Sequence, residues 1–417
     1  MHIVFLNPGS QLGGAERSLL DVLASLRAAK PSWELTLISG EPGPLIDSAR
    51  NLGARTHVLE MPARLSALGD AGVGGPAGRQ VSRLGLYFRM LRAAGGVLQY
   101  GRALAALLQQ IAPTLLHTNG FKMHLLGAWV RPPGVPLVWH VHDYVETRPV
   151  MSRLLRWHRS RVSAIVANSH SVAEGIRALL GERIPVQTVW NAIDLRSFSP
   201  FGPQLDLDAT CGLPQPAMPV VRVGLVGTLA RWKGHELFLR ALSMLPKEFP
   251  LRAYIIGDAL YRTSGSQWSV PELQTLADQL GLRGRVGFTG FVSDPAQAMR
   301  NLDVVVHAST EREPFGLVIA EAMACGRAVI VSRKGGPEEF TQDQVNALAH
   351  NGTSAAQLAA LLTTLTEDRG MRERLGTAAR EFAELQFDRT RLAQTLIPIY
   401  EGVCMTTAET AYATTAA

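Results

Sequence analysis

Residues 303–339 constrain the fold more than any other stretch, because the hydrophobic period switches between strand and helix within a short span. Val304, Val305 and Val306 form a β-branched run flanked by polar residues, as in a buried strand. Pro314 takes the position a helix accepts best, its first. Leu317, Val318, Ala320, Met323 and Ala324 then recur at helical spacing until Gly326 stops the pattern. A second apolar strand follows at 328–331, and Gly335, Gly336 and Pro337 open another helix. Strand, loop, helix, strand is the repeat of a parallel α/β sheet, whose ligands collect beyond the carboxyl ends of the strands.

Two carboxylates stand in this repeat. In one unbroken helix Glu313 and Glu321 would lie about two turns apart and not quite aligned. A loop position lets Glu313 bend toward a ligand above the helix N-terminus. The amides of Phe315, Gly316 and Leu317 have no helical acceptor there, which suits an oxygen-rich anion. Gly316 lets that ligand approach the backbone. Taken alone, the two glutamates read as well as a helix cap and a surface residue.

The whole stretch resembles the donor-site signature of family-four retaining glycosyltransferases. The resemblance rests on Pro314-Phe315-Gly316 after Glu313, on Glu321, on Gly-Arg-Ala-Val-Ile at 326–330 and on Gly-Gly-Pro-Glu at 335–338. It implies the GT-B fold, an α/β architecture of two facing Rossmann-like domains with an interdomain cleft. It also implies that Glu313 contacts the transferred sugar, Glu321 the ribose, and the amides of Phe315, Gly316 and Leu317 the sugar or phosphate.

The bulk properties agree with two domains. The chain has 417 residues, 47% hydrophobic and 18% charged, enough to fill large cores. Cys211, Cys325 and Cys404 show no CxxC spacing, which argues against a disulfide framework or a zinc site and fits a reducing compartment. The N-terminus lacks a signal-peptide pattern, and no apolar run reaches the ~18 residues of a membrane span. The expectation is a cytoplasmic protein, with the inner face of the plasma membrane as a docking place. The sequon at Asn351 is read as chance without a secretory signal.

The N-terminal half opens with a strand at 3–6, a loop at 7–14, a helix from Ala15 and a strand at 34–38. Gly13 and Gly14 bring that loop's backbone close to a ligand, or simply form a turn; they also resemble the Gly-Gly-Ala-Glu loop near the donor phosphates in family four. The glycines at 72–75 superficially match a dinucleotide fingerprint, but no strand precedes them and no helix opens on them. Strands follow at 115–118, 137–142, 164–168 and 186–190, with Ser169 as a helix cap. Alternation puts His140 and His142 on one face near a strand end, poised for proton traffic or hydrogen bonds near neutral pH. His142-Asp143 resembles the His-Asp pair that faces the donor sugar.

No Asp or Glu occurs between Ala71 and His142, where Arg79, Arg83, Arg89, Arg92, Arg102, Lys122 and Arg131 lie. A second acid-free stretch carries Arg148, Arg153, Arg156, Arg159 and Arg161. These form either a solvated basic face or a surface for anionic lipid or a phosphorylated acceptor. No nucleic-acid motif accompanies the charge.

Residues 201–219, rich in Pro and Gly, read as a linker. A strand at 222–226 leads to Arg231, Lys233 and a helix near Gly234. Cations at such a loop can neutralise a diphosphate leaving group, or they are solvated. Lys233-Gly234 matches the family's Lys-Gly, whereas Thr228 stands where the family places an arginine, so Arg231 is the candidate substitute. Strands at 254–256 and 286–288 end in loops, the second bearing Phe291, which by resemblance lies in the loop that reads the nucleobase and otherwise is a core aromatic. A last strand at 346–349, helices over 353–386 and a helix at 390–403 complete the chain.

The expected domains are 1–200 for the acceptor, a linker at 201–219, 220–386 for the nucleotide sugar, a crossover helix at 387–404 returning to the N-terminal domain, and a disordered tail at 405–417. The expected activity is transfer of a sugar from a nucleoside-diphosphate sugar to a glycan or lipid-linked acceptor, with retention. Glu313, His142 and Lys233 would be catalytic. Gly13, Gly14, Arg231, Phe315, Gly316, Leu317, Glu321 and Phe291 would bind substrate, and no metal or cofactor is assigned. An epimerase, a phosphorylase and a catalytically silent sugar-nucleotide-binding subunit remain open.

Overall fold

The computed structural model describes residues 1–66, 83–259 and 266–415. The chain forms two compact units, Met1–Asn191 with Arg389–Ala417, and Ala192–Asp388.

The first unit is built on seven strands, β1 His2–Asn7, β2 Glu34–Ser39, β3 Arg55–Val58, β4 Leu115–Asn119, β5 Leu137–Val141, β6 Ala164–Ala167 and β7 Val186–Thr188. All neighbours are parallel, in the order β3-β2-β1-β4-β5-β6-β7. Ile3, Val4, Phe5 and Leu6 are fully buried, as a parallel strand covered on both faces requires. The connecting helices are α1 Gly14–Ala29, α2 Pro44–Asn51, α3 Ala63–Ser66, α4 Arg83–Ile111, α5 Phe121–Val130, α6 Pro149–His158 and α7 His170–Leu180. Ser169 caps α7, accepting from the Val172 amide at 3.1 Å. The glycines at 72–75, Arg79 and the side chains of Arg83, Arg89 and Arg92 lie outside the described residues.

The second unit repeats the plan with six parallel strands, β8 Val221–Val226, β9 Leu251–Ile256, β10 Val286–Gly290, β11 Val304–His307, β12 Ala328–Ser332 and β13 Leu348–His350. Their order is β10-β9-β8-β11-β12-β13. Its helices are α8 Leu207–Thr210, α9 His235–Ser243, α10 Val270–Gln279, α11 Pro295–Arg300, α12 Leu317–Ala324, α13 Ala355–Glu367 and α14 Arg369–Gln386. Both sheets reverse strand order once, between β1 and β4 and between β8 and β11. Such switch points open a crevice at the strand ends.

Several expectations are corrected. Pro314 does not begin a helix. The Glu313 amide donates to Lys334 O at 2.9 Å and the Gly336 amide to Glu313 O at 2.8 Å, so the chain stays extended until Gly316, at φ +90°, turns it into α12. Residues 335–337 open only a short 3-10 turn, Gly336–Glu339. Asn346 belongs to the next loop, where its side chain binds the Gln342 amide and Phe340 O, and β13 therefore starts later than expected. β3 gives no clear signal in the sequence because its residues are exposed or half-buried and form no apolar run. The 201–219 segment is folded into the second unit: buried Asp208 accepts from Arg222, Arg252 and Tyr254 at 2.9, 2.8 and 2.7 Å. Its unit begins at Ala192, with the Ile193 amide on Phe387 O at 2.7 Å.

The final helix, α15 Thr390–Thr415, belongs to the first unit, where the Ser25 hydroxyl accepts from the Ala393 amide at 2.9 Å. It runs through most of the stretch expected to be a disordered tail. No Gly or Pro interrupts the chain beyond Gly402, and the hydroxyls of Thr406 and Thr407 bond back to carbonyls four residues earlier.

Candidate active site

The second unit gathers charge at its switch point. Lys233 follows β8 and Glu313 follows β11, and these strands are neighbours in the sheet. The topology thus joins residues 80 positions apart: Lys233 Nζ donates to Glu313 Oε2 at 2.6 Å. The same carboxylate oxygen takes the Ser309 hydroxyl at 3.0 Å and His307 Nε2 at 3.2 Å, with Ser309 and His307 2.9 Å apart. His307, Ser309 and Glu313 are buried. Burial pushes the Glu313 carboxyl up, but the Lys233 charge, followed by His307, pulls it down further, to about 2. Burial also keeps the His307 imidazole below its ordinary value, against the pull of Glu313.

Two glycines make this geometry possible. Gly234 caps α9 at φ +79°, where a Cβ would stand 1.9 Å from Ala308 O, so the close approach of the loops after β8 and β11 needs a glycine there. A Cβ on Gly336 would stand 2.3 Å from Pro314 O, pressing on the loop that presents Glu313. The Thr310 amide adds a bond to Trp232 O at 2.8 Å.

Leu317 and Val318 open α12 ahead of the first amides that bond back to Gly316 O, those of Ile319 and Ala320 at 2.9 and 3.4 Å, so their own amides have no acceptor within the helix. Phe315 turns its ring into the core against Phe340 and Phe387 at 5.1 and 5.9 Å, which leaves only its backbone for a ligand. Glu321 is buried within α12. Phe291 is 56% exposed just after β10, which removes the core-aromatic alternative. Arg231 is not brought to Glu313. Its guanidinium lies 3.8 Å over the Trp268 ring and 3.3 Å from Glu272 Oε1.

In the first unit the loop after β1 is held from several sides. Asn7 Nδ2 donates to Gly9 O at 2.7 Å, Asn119 Nδ2 to Asn7 Oδ1 at 2.7 Å, and the Ser10 amide to Glu41 Oε1 at 3.0 Å. Gly13 is the extended N-cap of α1 and Gly14 its first residue. Sequence reasoning missed Asn7, Asn119 and Glu41, although Asn7 and Asn119 end the two strands that flank the switch point.

His140 and His142 do share a face, with ring centroids 4.0 Å apart. Burial lowers His142 to about 3, which favours the hydrogen-bonding reading over proton traffic near neutral pH. Asp143 is turned to Arg148 at 2.5 Å. The basic stretch beyond it is partly structural. Arg156 and Arg159 donate to Leu179 O and Leu180 O at the end of α7, and Arg161 to Ala128 O and Trp129 O at the end of α5.

Comparison with known proteins follows the same division. Residues 12–197 match the model described as Glycosyltransferase Family 4, and residues 221–382 that of Glycosyl transferases group 1. A D-inositol 3-phosphate glycosyltransferase of Thermomonospora curvata is 32% identical over 69% of this chain and 71% of its own length. The enzyme of that name from Xylanimonas cellulosilytica is 33% identical over 57% of this chain, a match spanning a little over half, 56%, of that relative. Among solved structures, Anabaena HepE with UDP-glucose superposes with a TM-score of 0.75 at 24% identity, covering 96% of this chain and all of that one. Sucrose-phosphate synthase of Thermosynechococcus elongatus gives 0.76 at 19% identity over 97% of this chain and all of that one. With both of its parallel α/β units accounted for, the chain belongs to the family-four, group 1 glycosyltransferases of GT-B fold.

Proposed function

We propose that this chain moves a sugar from a nucleoside-diphosphate sugar to a glycan or lipid-linked acceptor, retaining the anomeric configuration. The observation that carries this reading is the Lys233–Glu313 pair at the ends of β8 and β11, in the unit whose α12 presents unpaired amides. A Lys ammonium has three donors, so Lys233 can reach a diphosphate oxygen without releasing Glu313. As the bond from the anomeric carbon to the diphosphate breaks, the electron pair leaves with the phosphate oxygen. Lys233 and the α12 amides stabilise that growing charge more than the intact donor. Glu313, held ionised, orients the sugar, and Glu321 takes the ribose. Glu313 at about 2 and His142 at about 3 are weak bases. The departing phosphate oxygen is the stronger one and takes the acceptor's proton, which places attack on the departing face and gives retention.

HepE is crystallised with UDP and with UDP-glucose, which makes uridine diphosphate sugars the first donors to test. A thermal-shift screen of nucleoside diphosphates would find the base, and NMR of the product from an α-linked donor would follow. An α-linked product is expected; a β-linked product, or an epimerised sugar formed without acceptor, would overturn the reading. Among the described residues no helix is long and apolar enough to cross a membrane. A lipid-linked acceptor would be met by the exposed face of α6 and the turn after it, with Arg153, Arg156, Arg159 and a 79% exposed Trp157. Salt-sensitive sedimentation with acidic vesicles tests that contact.

A further inference from the structure

The transfer reading uses one histidine of the first unit, yet three others stand behind it. His117 lies inside β4 and His140 inside β5, both almost fully buried. Tyr400 of α15, also fully buried, meets His117 Nδ1 through its hydroxyl at 2.8 Å. The rings continue as a column. Tyr400 and His117 are perpendicular at 5.8 Å, His117 and His140 are perpendicular at 5.2 Å, and His140 and His142 lie 4.0 Å apart at 39°. His140 is 2% exposed, and among the described residues neither of its nitrogens has a hydrogen-bond partner; those of His142 are likewise buried and without one. A buried imidazole without partners carries a desolvation penalty that a leucine in the same place would avoid. Packing alone therefore does not account for His140. The fourth histidine, His124, stands aside from the column, stacked on Trp139 and bonded to Thr118.

We propose that the column is the positioning apparatus of His142. Tyr400 donates its proton to His117 Nδ1 and so fixes the Nε2–H tautomer; the His117 ring sets His140, and the face of His140 sets the plane of His142. The C-terminal helix thereby orients a ring of the sugar site within its own unit. Burial keeps the phenol protonated and the imidazoles neutral, as two imidazoles whose centroids lie 4.0 Å apart require. The inference rests on His142 being a site residue, but its test does not need turnover.

Two variants of the full chain, Tyr400→Phe and His140→Leu, would be compared by side-chain NMR of 15N-labelled histidine and by steady-state kinetics. Tyr400→Phe should mix the His117 tautomers, and both variants should shift the His142 ring resonances. Turnover should fall about 10- to 100-fold, the scale of a misplaced group, with donor KM within about twofold and with His140→Leu melting no lower than the parent. Unshifted His142 resonances in both variants, or a lowered melting temperature with kcat intact, would overturn the proposal in favour of a structural role. Failure of the parent chain to turn over any nucleotide sugar would instead defeat the transfer reading and leave the NMR answer standing.

Discussion

The two units share a strand order and place opposite chemistry at its reversal. Where β8 meets β11, the second unit sets full charges against each other: Lys233 on Glu313, with His307 and Ser309 completing the carboxylate's shell. Near the reversal between β1 and β4, the first unit places amides, Asn7 on Asn119, and a column of neutral rings leading to His142. A parallel sheet thus dictates where a ligand can sit but not its polarity. On the proposed reading, ionised groups suit the half assigned to the departing diphosphate. On the same reading, neutral groups suit the half assigned to the sugar.

Acid should have the largest effect, and it should reach both halves. The folded-state pKa values of His117, His124, His140 and His142 are lowered by burial, with His117 and His142 at about 3. The unfolded chain therefore binds protons below about pH 6.5 that the folded one refuses, and stability falls as pH drops through that window. Each histidine costs about 1.4 kcal/mol per pH unit there. Several such groups together weigh against the ~5–15 kcal/mol of an ordinary domain. The second unit shares this sensitivity, since burial also lowers His235, His307 and His350, and the lowered pKa of Glu313 adds stability present above about pH 4.5 and lost as pH falls toward about 2. Calorimetry from pH 7 to 4 should show the melting temperature falling steadily, and a flat melting temperature down to pH 5 would refute the neutral-ring account.

Lys233→Ala comes next and tests the charged half. Loss of one donor to a developing anion costs about 10²–10³-fold in kcat/KM. Lys233→Arg should recover little, because the planar guanidinium presents its donors differently. Near-normal turnover in Lys233→Ala would remove the leaving-group site from the second unit. Glu321→Ala should be milder, raising donor KM about tenfold with kcat less affected, since a ribose contact is made equally in ground and transition states; an unchanged KM would place Glu321 outside the site. Arg231→Ala should be the smallest effect, about twofold or less in kcat/KM, because that guanidinium is engaged by Trp268 and an exposed Glu272. A loss comparable to that of Lys233→Ala would show that Arg231 turns to the diphosphate after all.

Residues 303–339 by themselves determined the strand, the placement of Glu313 on a loop and the helix after it, though not that this helix starts at Leu317 and not at Pro314. All three follow from backbone periods and cap chemistry that act over a few residues. The alternation of a strand is equally local, and it alone suffices to put His140 and His142 on one face. What sequence could not decide was environment. His307 and Ser309 read as the polar end of a strand, and only the return of Glu313 over them makes them its partners. Arg231 and Lys233 look alike in a loop, and only tertiary structure assigns one to a tryptophan and the other to a buried carboxylate. The tail at 405–417 offered no packing signal, although a run without Gly or Pro continues a helix already begun. Tyr400 lies 283 positions from His117, too far for any local pattern. Ionisation was decided the same way: a histidine's charge is set by the water it loses and the groups that surround it, and those arrive from strands and helices distant in the chain.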